Sequence, residues 1–196
     1  AKPDMIALTG DIVDEDHDSI NSVEDLLKGI KDLAPIYFVT GNHELTSLAA
    51  TQYQELLALF QKYGVTDLDN DSVKLKKGGQ SITLYGRQYF SQYLTDSLPI
   101  ASDKDFDILL YHGSDNFKEI APYHYDLILS GHAHGGIVRL PIWGGIFGND
   151  GTFFPEYAGG EYTIGDATLI SSRGLGDASI PRFNNPPELV VIKLNP

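Results

Sequence analysis

The stretch LILSGHAHGG, residues 127–136, places an apolar run directly before a loop that carries two histidines one residue apart. The four residues before Gly131 have the apolar pattern of a short buried strand. In open α/β sheets, reactive groups gather beyond the carboxyl ends of the strands. This stretch therefore favours an α/β fold with a functional site at the end of the predicted strand Leu127–Ser130.

Three earlier segments repeat this arrangement of an apolar run followed by polar residues. They are Met5–Thr9 before Gly10-Asp11, Ile36–Thr40 before Gly41-Asn42-His43-Glu44, and Phe106–Tyr111 before His112. If the four runs are strands of one fold, a carboxylate, a carboxamide and four imidazoles lie at one rim. Nitrogen and oxygen ligands without sulfur suit manganese, iron, zinc or nickel, so the pattern predicts a transition-metal site.

Composition narrows the class of protein. The 196 residues are 42% hydrophobic, which is enough for one domain with a sizeable core over residues 1–196. The formal net charge of −13 argues against binding to nucleic acid or an anionic membrane, although bound cations would still admit a small anionic substrate. No apolar run approaches the roughly 18 residues of a transmembrane helix, so the chain itself is expected to be soluble. The sequence gives no indication of the oligomeric state.

Periodicity outlines the other elements. Ser19–Leu33 has the apolar spacing of a helix, and its place between two predicted strands indicates a βαβ unit. The acidic run before it, residues 15–18, is interpreted as an exposed helix start. Further helices are predicted at Leu48–Tyr63 and near Asp115–Ile120, and further strands at Val73–Leu75 and Ile82–Gly86.

After Gly136 the sequence is rich in glycine, proline and aromatic residues, and only strands are predicted there. They are Ile137–Leu140, Glu161–Ile164, Thr168–Ser171 and Leu189–Leu194. The apolar content of this region indicates packed structure, which we interpret as a second sheet stacked on the first. The aromatic cluster around Trp143 is interpreted as part of the core.

The order Gly-Asp, Gly-Asn-His-Glu, His and Gly-His-Ala-His resembles that of the calcineurin-like metallophosphoesterases, which are dinuclear metal hydrolases of phosphate esters. Ser130–Gly136, Arg139–Pro141 and Ser172–Gly176 are similar to a bacterial subgroup, many of whose members carry an N-terminal membrane anchor or export signal. The resemblance implies a four-layer α/β/β/α sandwich of two stacked mixed sheets with flanking helices. It leaves open a membrane association of a longer parent protein in a bacterium.

The resemblance also implies a ligand set. One metal would be held by Asp11, Asn42, His112 and His132. The second would share Asp11 and take His134, while His43 would stand over the site as the catalytic residue without binding metal. The family opens with a strand that ends in Asp-x-His, and no such block precedes Asp4. The resemblance therefore predicts that this chain starts after the first βα unit of the family.

The predicted function is hydrolysis of a small phosphomonoester or phosphodiester by a water that two divalent metal ions activate. His43 would hydrogen-bond a phosphate oxygen, protonate the leaving group, or both. Two alternatives stay open at this point. One is a metal-binding or interaction domain without catalysis, and the other is a weak or inactive fragment of an enzyme, because the Asp-x-His block is absent.

Overall fold

The computed structural model describes residues 2–14, 19–89, 94, 98–102, 105–148, 151–176 and 181–195. The acidic run at 15–18 lies outside the described residues. The strands are β1 (Ile6–Leu8), β2 (Ile36–Phe38), β3 (Val65–Asp67), β4 (Ser72–Lys77), β5 (Gln80–Arg87), β6 (Phe106–Tyr111), β7 (Leu127–Ser130), β8 (Val138–Leu140), β9 (Gly144–Phe147), β10 (Gly160–Ile164) and β11 (Ala167–Ser171). The helices are α1 (Ser19–Ile30), α2 (Asn42–Thr46), α3 (Ala50–Tyr63) and α4 (Phe117–Ile120), the last of which continues into a 3₁₀ turn at Ala121–Tyr123.

The described strands form two main sheets and a hairpin. The first sheet has the order β1-β2-β3, and all three strands are parallel. The second sheet has six strands in the order β10-β11-β7-β6-β5-β4. Its inner strands are parallel, and β4 and β10 join its two edges in antiparallel fashion, so this sheet is mixed. Strands β8 and β9 pair with each other as a separate antiparallel hairpin.

Side chains alternate between the two faces of each buried strand, and the apolar side chains on the inner faces pack the two sheets face to face. On β6, Ile108 and Leu110 point into a core shared with Tyr37 of β2, so this core lies between the sheets. The next residues, Leu109 and Tyr111, point to the opposite face, where α4 and the 3₁₀ turn pack. The outer face of the first sheet is covered by α1 and α3. The chain is therefore an α/β/β/α sandwich, as predicted.

Among the described residues, the region after Gly136 supplies the two-stranded hairpin of β8 and β9 and two strands of the six-stranded sheet. Strand β11 pairs in parallel with β7, so β10 and β11 extend the sheet that β6 and β7 already form. Leu169 in the middle of β11 is completely buried, which explains why this strand belongs next to the core strands. The prediction of a separate second sheet from this region was wrong, and the first sheet comes from β1, β2 and β3 instead.

Two further expectations for this region were also wrong. Leu189–Leu194 is not a strand, because no strand of the described residues pairs with it, and Leu189 is 75% exposed. Trp143 is 69% exposed at the turn between β8 and β9, where its ring centroid lies 6.4 Å from that of Phe154, which is itself 56% exposed. Of the aromatic cluster, Tyr157 alone is buried in the core, where its ring meets that of Phe117 edge to face.

Among the described residues, no helix is both long and apolar enough to cross a bilayer.

Because the two sheets pack on a shared core, truncating a side chain in that core should destabilise the fold more than truncating an exposed side chain. Leu110 is fully buried between the sheets, so Leu110→Ala should lower the free energy of unfolding by about 2–5 kcal/mol. Leu33 is 59% exposed after α1, and Leu33→Ala, the matched control, should cost no more than about 0.5 kcal/mol. Urea unfolding of both variants measures the difference. Equal losses would contradict a core between the two sheets.

The end of β2 is tied to the end of β3 through Asp69. Its carboxylate accepts a hydrogen bond from the Thr40 backbone N–H at 2.9 Å and another from the Thr40 hydroxyl. Burial raises the pKa of Asp69 to about 6 in spite of the Thr40 N–H, and the nearby Asp67 carboxylate raises it further. Asp69 therefore gives up its proton at higher pH in the folded chain than in the unfolded chain.

This difference gives the stability a pH dependence of known sign. Between about pH 4 and about pH 6 the folded state binds more protons at Asp69 than the unfolded state, so stability should fall as pH rises through that window. Asp69→Asn removes the titrating group and should flatten this part of the profile. Urea unfolding of both proteins across the window tests the idea. A wild-type profile that keeps its full slope in the Asp69→Asn variant would count against it.

Candidate metal centre

Four loops that follow strands of the two sheets meet at one end of the sandwich. Asp11 follows β1 and Asn42 follows β2, while His112 follows β6 and His132 follows β7. The loops touch directly, because the His43 N–H donates to Oδ1 of Asp11 at 2.9 Å and the Gly131 N–H donates to the His112 carbonyl at 3.1 Å. The structure therefore places residues from both sheets in one cluster.

The ring of His112 has a defined tautomer. Its Nδ1 lies 2.6 Å from the carbonyl oxygen of Thr9, and a carbonyl can only accept, so Nδ1 carries the proton. In the neutral ring, Nε2 then presents a lone pair. This atom lies 3.0 Å from Oδ2 of Asp11 and 3.1 Å from Nδ1 of His132. The neutral ring of His112 and the carboxylate of Asp11 thus present acceptors to each other, and Nδ1 of His132 adds a third when it carries no proton, which is unfavourable without a proton or a cation between them.

The electrostatics of the pair follow from this arrangement. Burial lowers the pKa of His112, but the hydrogen bond and charge of Asp11, together with the Thr9 carbonyl and the Glu44 charge, raise it above its usual value. Burial raises the pKa of Asp11, and the hydrogen bond and charge of His112 together with the His43 N–H bring it below its usual value. Both shifts favour the charged pair, in which the proton on Nε2 of His112 is donated to Oδ2 of Asp11. A divalent cation would replace that proton and also satisfy His132.

The donor atoms fit a cation with nitrogen and oxygen ligands. One ligand atom each from Asp11, His112 and His132 lie within 4.8 Å of one another. Two more buried atoms, Oδ1 of Asn42 and Nδ1 of His134, have no hydrogen-bond partner among the described residues. Buried polar atoms are rarely left unpaired, so both are available as ligands. A carboxylate, a carboxamide and imidazoles are the set that transition metals such as manganese, iron or zinc accept.

His134 lies outside the cluster of three, although it comes from the same loop as His132. Burial, followed by the positive charge of Arg182, lowers the pKa of His134 to about 4. The ring is therefore neutral at pH 7 and keeps a lone pair for a cation. Of the five predicted ligands, the structure groups Asp11, His112 and His132 closely, and the possible ligand atoms of Asn42 and His134 are buried without a hydrogen-bond partner among the described residues.

Glu44 is a residue whose role was missed from the sequence. It is 2% exposed and accepts four backbone hydrogen bonds, which come from residues of the loops after β1 and β2. The donors are Gly41 at 2.7 Å, Ile12 at 2.8 Å, Asp11 at 2.9 Å and Val13 at 3.3 Å. Burial and the neighbouring Asp11 carboxylate raise the pKa of Glu44. One carboxylate therefore fixes the two loops that carry Asp11 and Asn42.

A local signal for this role exists in the sequence. Glu44 is the third residue of α2, whose N-cap is Gly41, and a glutamate at this position reaches back to the N-cap backbone in a capping box. Gly41 itself is required, because a Cβ there would lie 2.2 Å from Oδ1 of Asp11. The Gly-Asn-His-Glu block is thus the start of a helix.

Tyr89 was also missed. Its hydroxyl lies 3.3 Å from Nε2 of His132, and its ring stands edge to face against that of His112 with a centroid distance of 5.2 Å. When Nδ1 of His132 faces the cluster as a lone pair, Nε2 carries the proton and donates it to the Tyr89 hydroxyl. Tyr89 lies two residues after β5 in no recognisable motif, so nothing in its local sequence indicated this contact.

His43, the predicted catalytic residue, stands at the mouth of the cluster. Its Nε2 is 3.7 Å from Oδ2 of Asp11, and its side chain is 22% exposed. The other ring nitrogen, Nδ1, lies 3.3 Å from the hydroxyl of Ser47 one turn along the chain. The ring therefore reaches both the cluster and solvent, in contrast to the buried ring of His112.

Known proteins resemble this chain in sequence. Residues 1–136 match the calcineurin-like phosphoesterase family. The chain is 30% identical, over 99% of its length, to the uncharacterized metallophosphoesterase YkuE of Bacillus subtilis, of which it covers 68%. It is 26% identical, over 98% of its length, to the phosphodiesterase YaeI of Escherichia coli, of which it covers 71%.

A solved structure supports the fold. The sulfate thiohydrolase SoxB of Thermus thermophilus matches 85% of this chain with a TM-score of 0.52. The identity is 16%, and the chain spans 33% of the length of that protein, so the likeness concerns the fold alone. The sequence match over residues 1–136, the YkuE relative and the sandwich architecture agree with one another. The chain belongs to the calcineurin-like phosphoesterase family.

Proposed function

We propose that this chain hydrolyses phosphomonoesters or phosphodiesters at a centre of two divalent metal ions. The family and its metallophosphoesterase relatives support a phosphoester hydrolase. The observation that supports the metal dependence is the convergence of one ligand atom each from Asp11, His112 and His132, which a divalent cation could bind together.

The predicted ligands of this chain would be shared out between the two ions. Asp11, Asn42, His112 and His132 would hold the first, and Asp11 together with His134 would contribute to the second. Divalent cations bound in this way activate water and neutralise charge on phosphate oxygens. The Thr9 carbonyl fixes the tautomer of His112 that metal binding requires, and the Tyr89 hydroxyl would accept the proton on Nε2 of His132 when Nδ1 of that ring binds metal.

His43 acts on the substrate rather than on metal. Its ring is half-buried at the mouth of the site, with Nε2 close to Asp11 and Nδ1 beside the Ser47 hydroxyl. An imidazole in this position donates a hydrogen bond to a non-bridging phosphate oxygen or a proton to the leaving alkoxide. The net charge of −13 argues against nucleic acid as the substrate and favours a small ester.

The proposal separates metal ligands from the proton donor. His112→Ala removes a ligand, so it should lower manganese content and turnover together. His43→Ala should leave manganese content nearly unchanged and lower turnover by about 10²–10⁴-fold, because proton transfer is lost. His124 serves as the control, because it comes before β7, whereas His132 follows that strand. Asparagine suits its left-handed φ of 64°, so His124→Asn should change neither the manganese content nor the turnover.

Elemental analysis after equilibration with manganese gives the metal content. Hydrolysis of bis-p-nitrophenyl phosphate and p-nitrophenyl phosphate gives the turnover and separates diesterase from monoesterase activity. The wild-type chain without metal-dependent turnover of either ester would contradict the proposed function. A large loss of manganese in His43→Ala would instead show that this residue is a ligand.

A further inference from the structure

The loop that carries His132 and His134 has an unusual backbone. Within residues 132–136, His132 and His134 have positive φ values of 66° and 48°, and Gly135 and Gly136 follow at 73° and 67°. Left-handed backbone is disfavoured for residues with a side chain, and it persists where surrounding groups enforce it. The neighbours of this loop therefore decide whether its two histidines face the metal centre.

Asn185 is the buried neighbour that contacts this loop. It is 2% exposed, and its Nδ2 donates to the carbonyl of His134 at 2.6 Å and to that of Ile137 at 3.4 Å. Arg139 adds a donor from the side, because its Nη1 lies 2.6 Å from the carbonyl of Gly135. The Asn185 carboxamide thus binds the backbone of His134, a predicted ligand, and also the backbone of Ile137 just after the loop.

The fit between Asn185 and the loop is close. A Cβ on Gly135 would lie 2.5 Å from Oδ1 of Asn185 and 2.7 Å from Cγ of Arg173, so only glycine can occupy this position. Oδ1 itself is buried and has no hydrogen-bond partner among the described residues. Burying a carbonyl oxygen without a partner is unfavourable, so the hydrogen bonds that Nδ2 donates are what hold the side chain in this position.

We propose that Asn185 is a positioning residue of the metal centre, whose buried carboxamide holds the 132–136 loop in the conformation that directs His132 and His134 towards the metal ions. This inference rests on the proposed metal site and adds to it a residue 51 positions away from His134 in sequence. Rotation of the peptide after His134 would break the 2.6 Å hydrogen bond and turn the imidazole away from the site.

A purely structural role is the alternative. Backbone bonds already join this part of the chain to the β8 region, from the Phe183 N–H to Ile137 and from the Arg139 N–H to Phe183. If Asn185 only strengthened that connection, its loss would lower the stability of the metal-free chain and leave the metal affinity of the folded chain unchanged. Metal affinity therefore separates the two roles.

The test uses the whole chain with cobalt as the probe, because the visible absorption of bound Co²⁺ reports coordination directly. Asn185→Ala removes the carboxamide, and Asn185→Leu removes it while keeping an uncharged side chain that branches at Cγ. Both should weaken Co²⁺ binding by about 10–100-fold and alter its spectrum, as losses of groups that orient ligands do. Asn184→Gly is the matched control, since Asn184 is exposed, makes a 3.3 Å bond to the Arg139 carbonyl and has a left-handed φ of 50° that glycine accepts, and it should stay within about twofold of wild type.

Unfolding of each variant in chelator establishes that it is folded before titration. Should Asn185→Ala fail to fold, Asn185→Leu decides the question. Wild-type affinity and spectrum in a folded Asn185 variant would overturn the positioning role while leaving the proposed function intact. Absence of Co²⁺ uptake by the wild-type chain would overturn the metal centre itself, and the role of Asn185 with it.

Discussion

The hydrogen bond between Nδ1 of His112 and the carbonyl of Thr9 is the contact on which the site depends. At 2.6 Å it joins the loop after β1 in one sheet to the loop after β6 in the other. It also fixes which ring nitrogen carries the proton, so Nε2 faces Asp11 and His132 as a lone pair. The stacking of two sheets over the core that contains Ile108 and Leu110 is what brings these loops within reach.

Backbone groups, more than side-chain pairs, give the site its shape. Glu44 gathers four N–H donors from two loops, and Asn185 binds the carbonyl of His134. Both contacts use backbone groups, and Oδ1 of Asn42 and Nδ1 of His134 are left without a hydrogen-bond partner among the described residues. Burying a carboxylate next to histidine lone pairs is unfavourable because the acceptor atoms repel one another, and a bound cation would remove that repulsion.

The parts of the fold that depend on local sequence patterns were predictable. Strands β6 and β7 begin and end where their apolar runs predicted, at Phe106–Tyr111 and Leu127–Ser130, because both are buried on two faces. Sheet membership was not predictable, since β11 pairs with β7 across some 40 residues, and Leu189–Leu194 has a strand-like sequence without a strand partner among the described residues. Tyr89 and Asn185 escaped notice for the same reason: their contacts with the histidine loop are long-range, and neither stands in a motif.

We propose that Asp11, His112 and His132 share one cation, and anomalous diffraction from crystals grown with manganese is the measurement that decides it. We expect an anomalous peak about 2.0–2.2 Å from Oδ2 of Asp11, Nε2 of His112 and Nδ1 of His132. His112 should keep its bond to Thr9 in that crystal. A manganese-loaded crystal with no peak at these atoms, and with His112 instead paired to Asp11 through a proton, would contradict it.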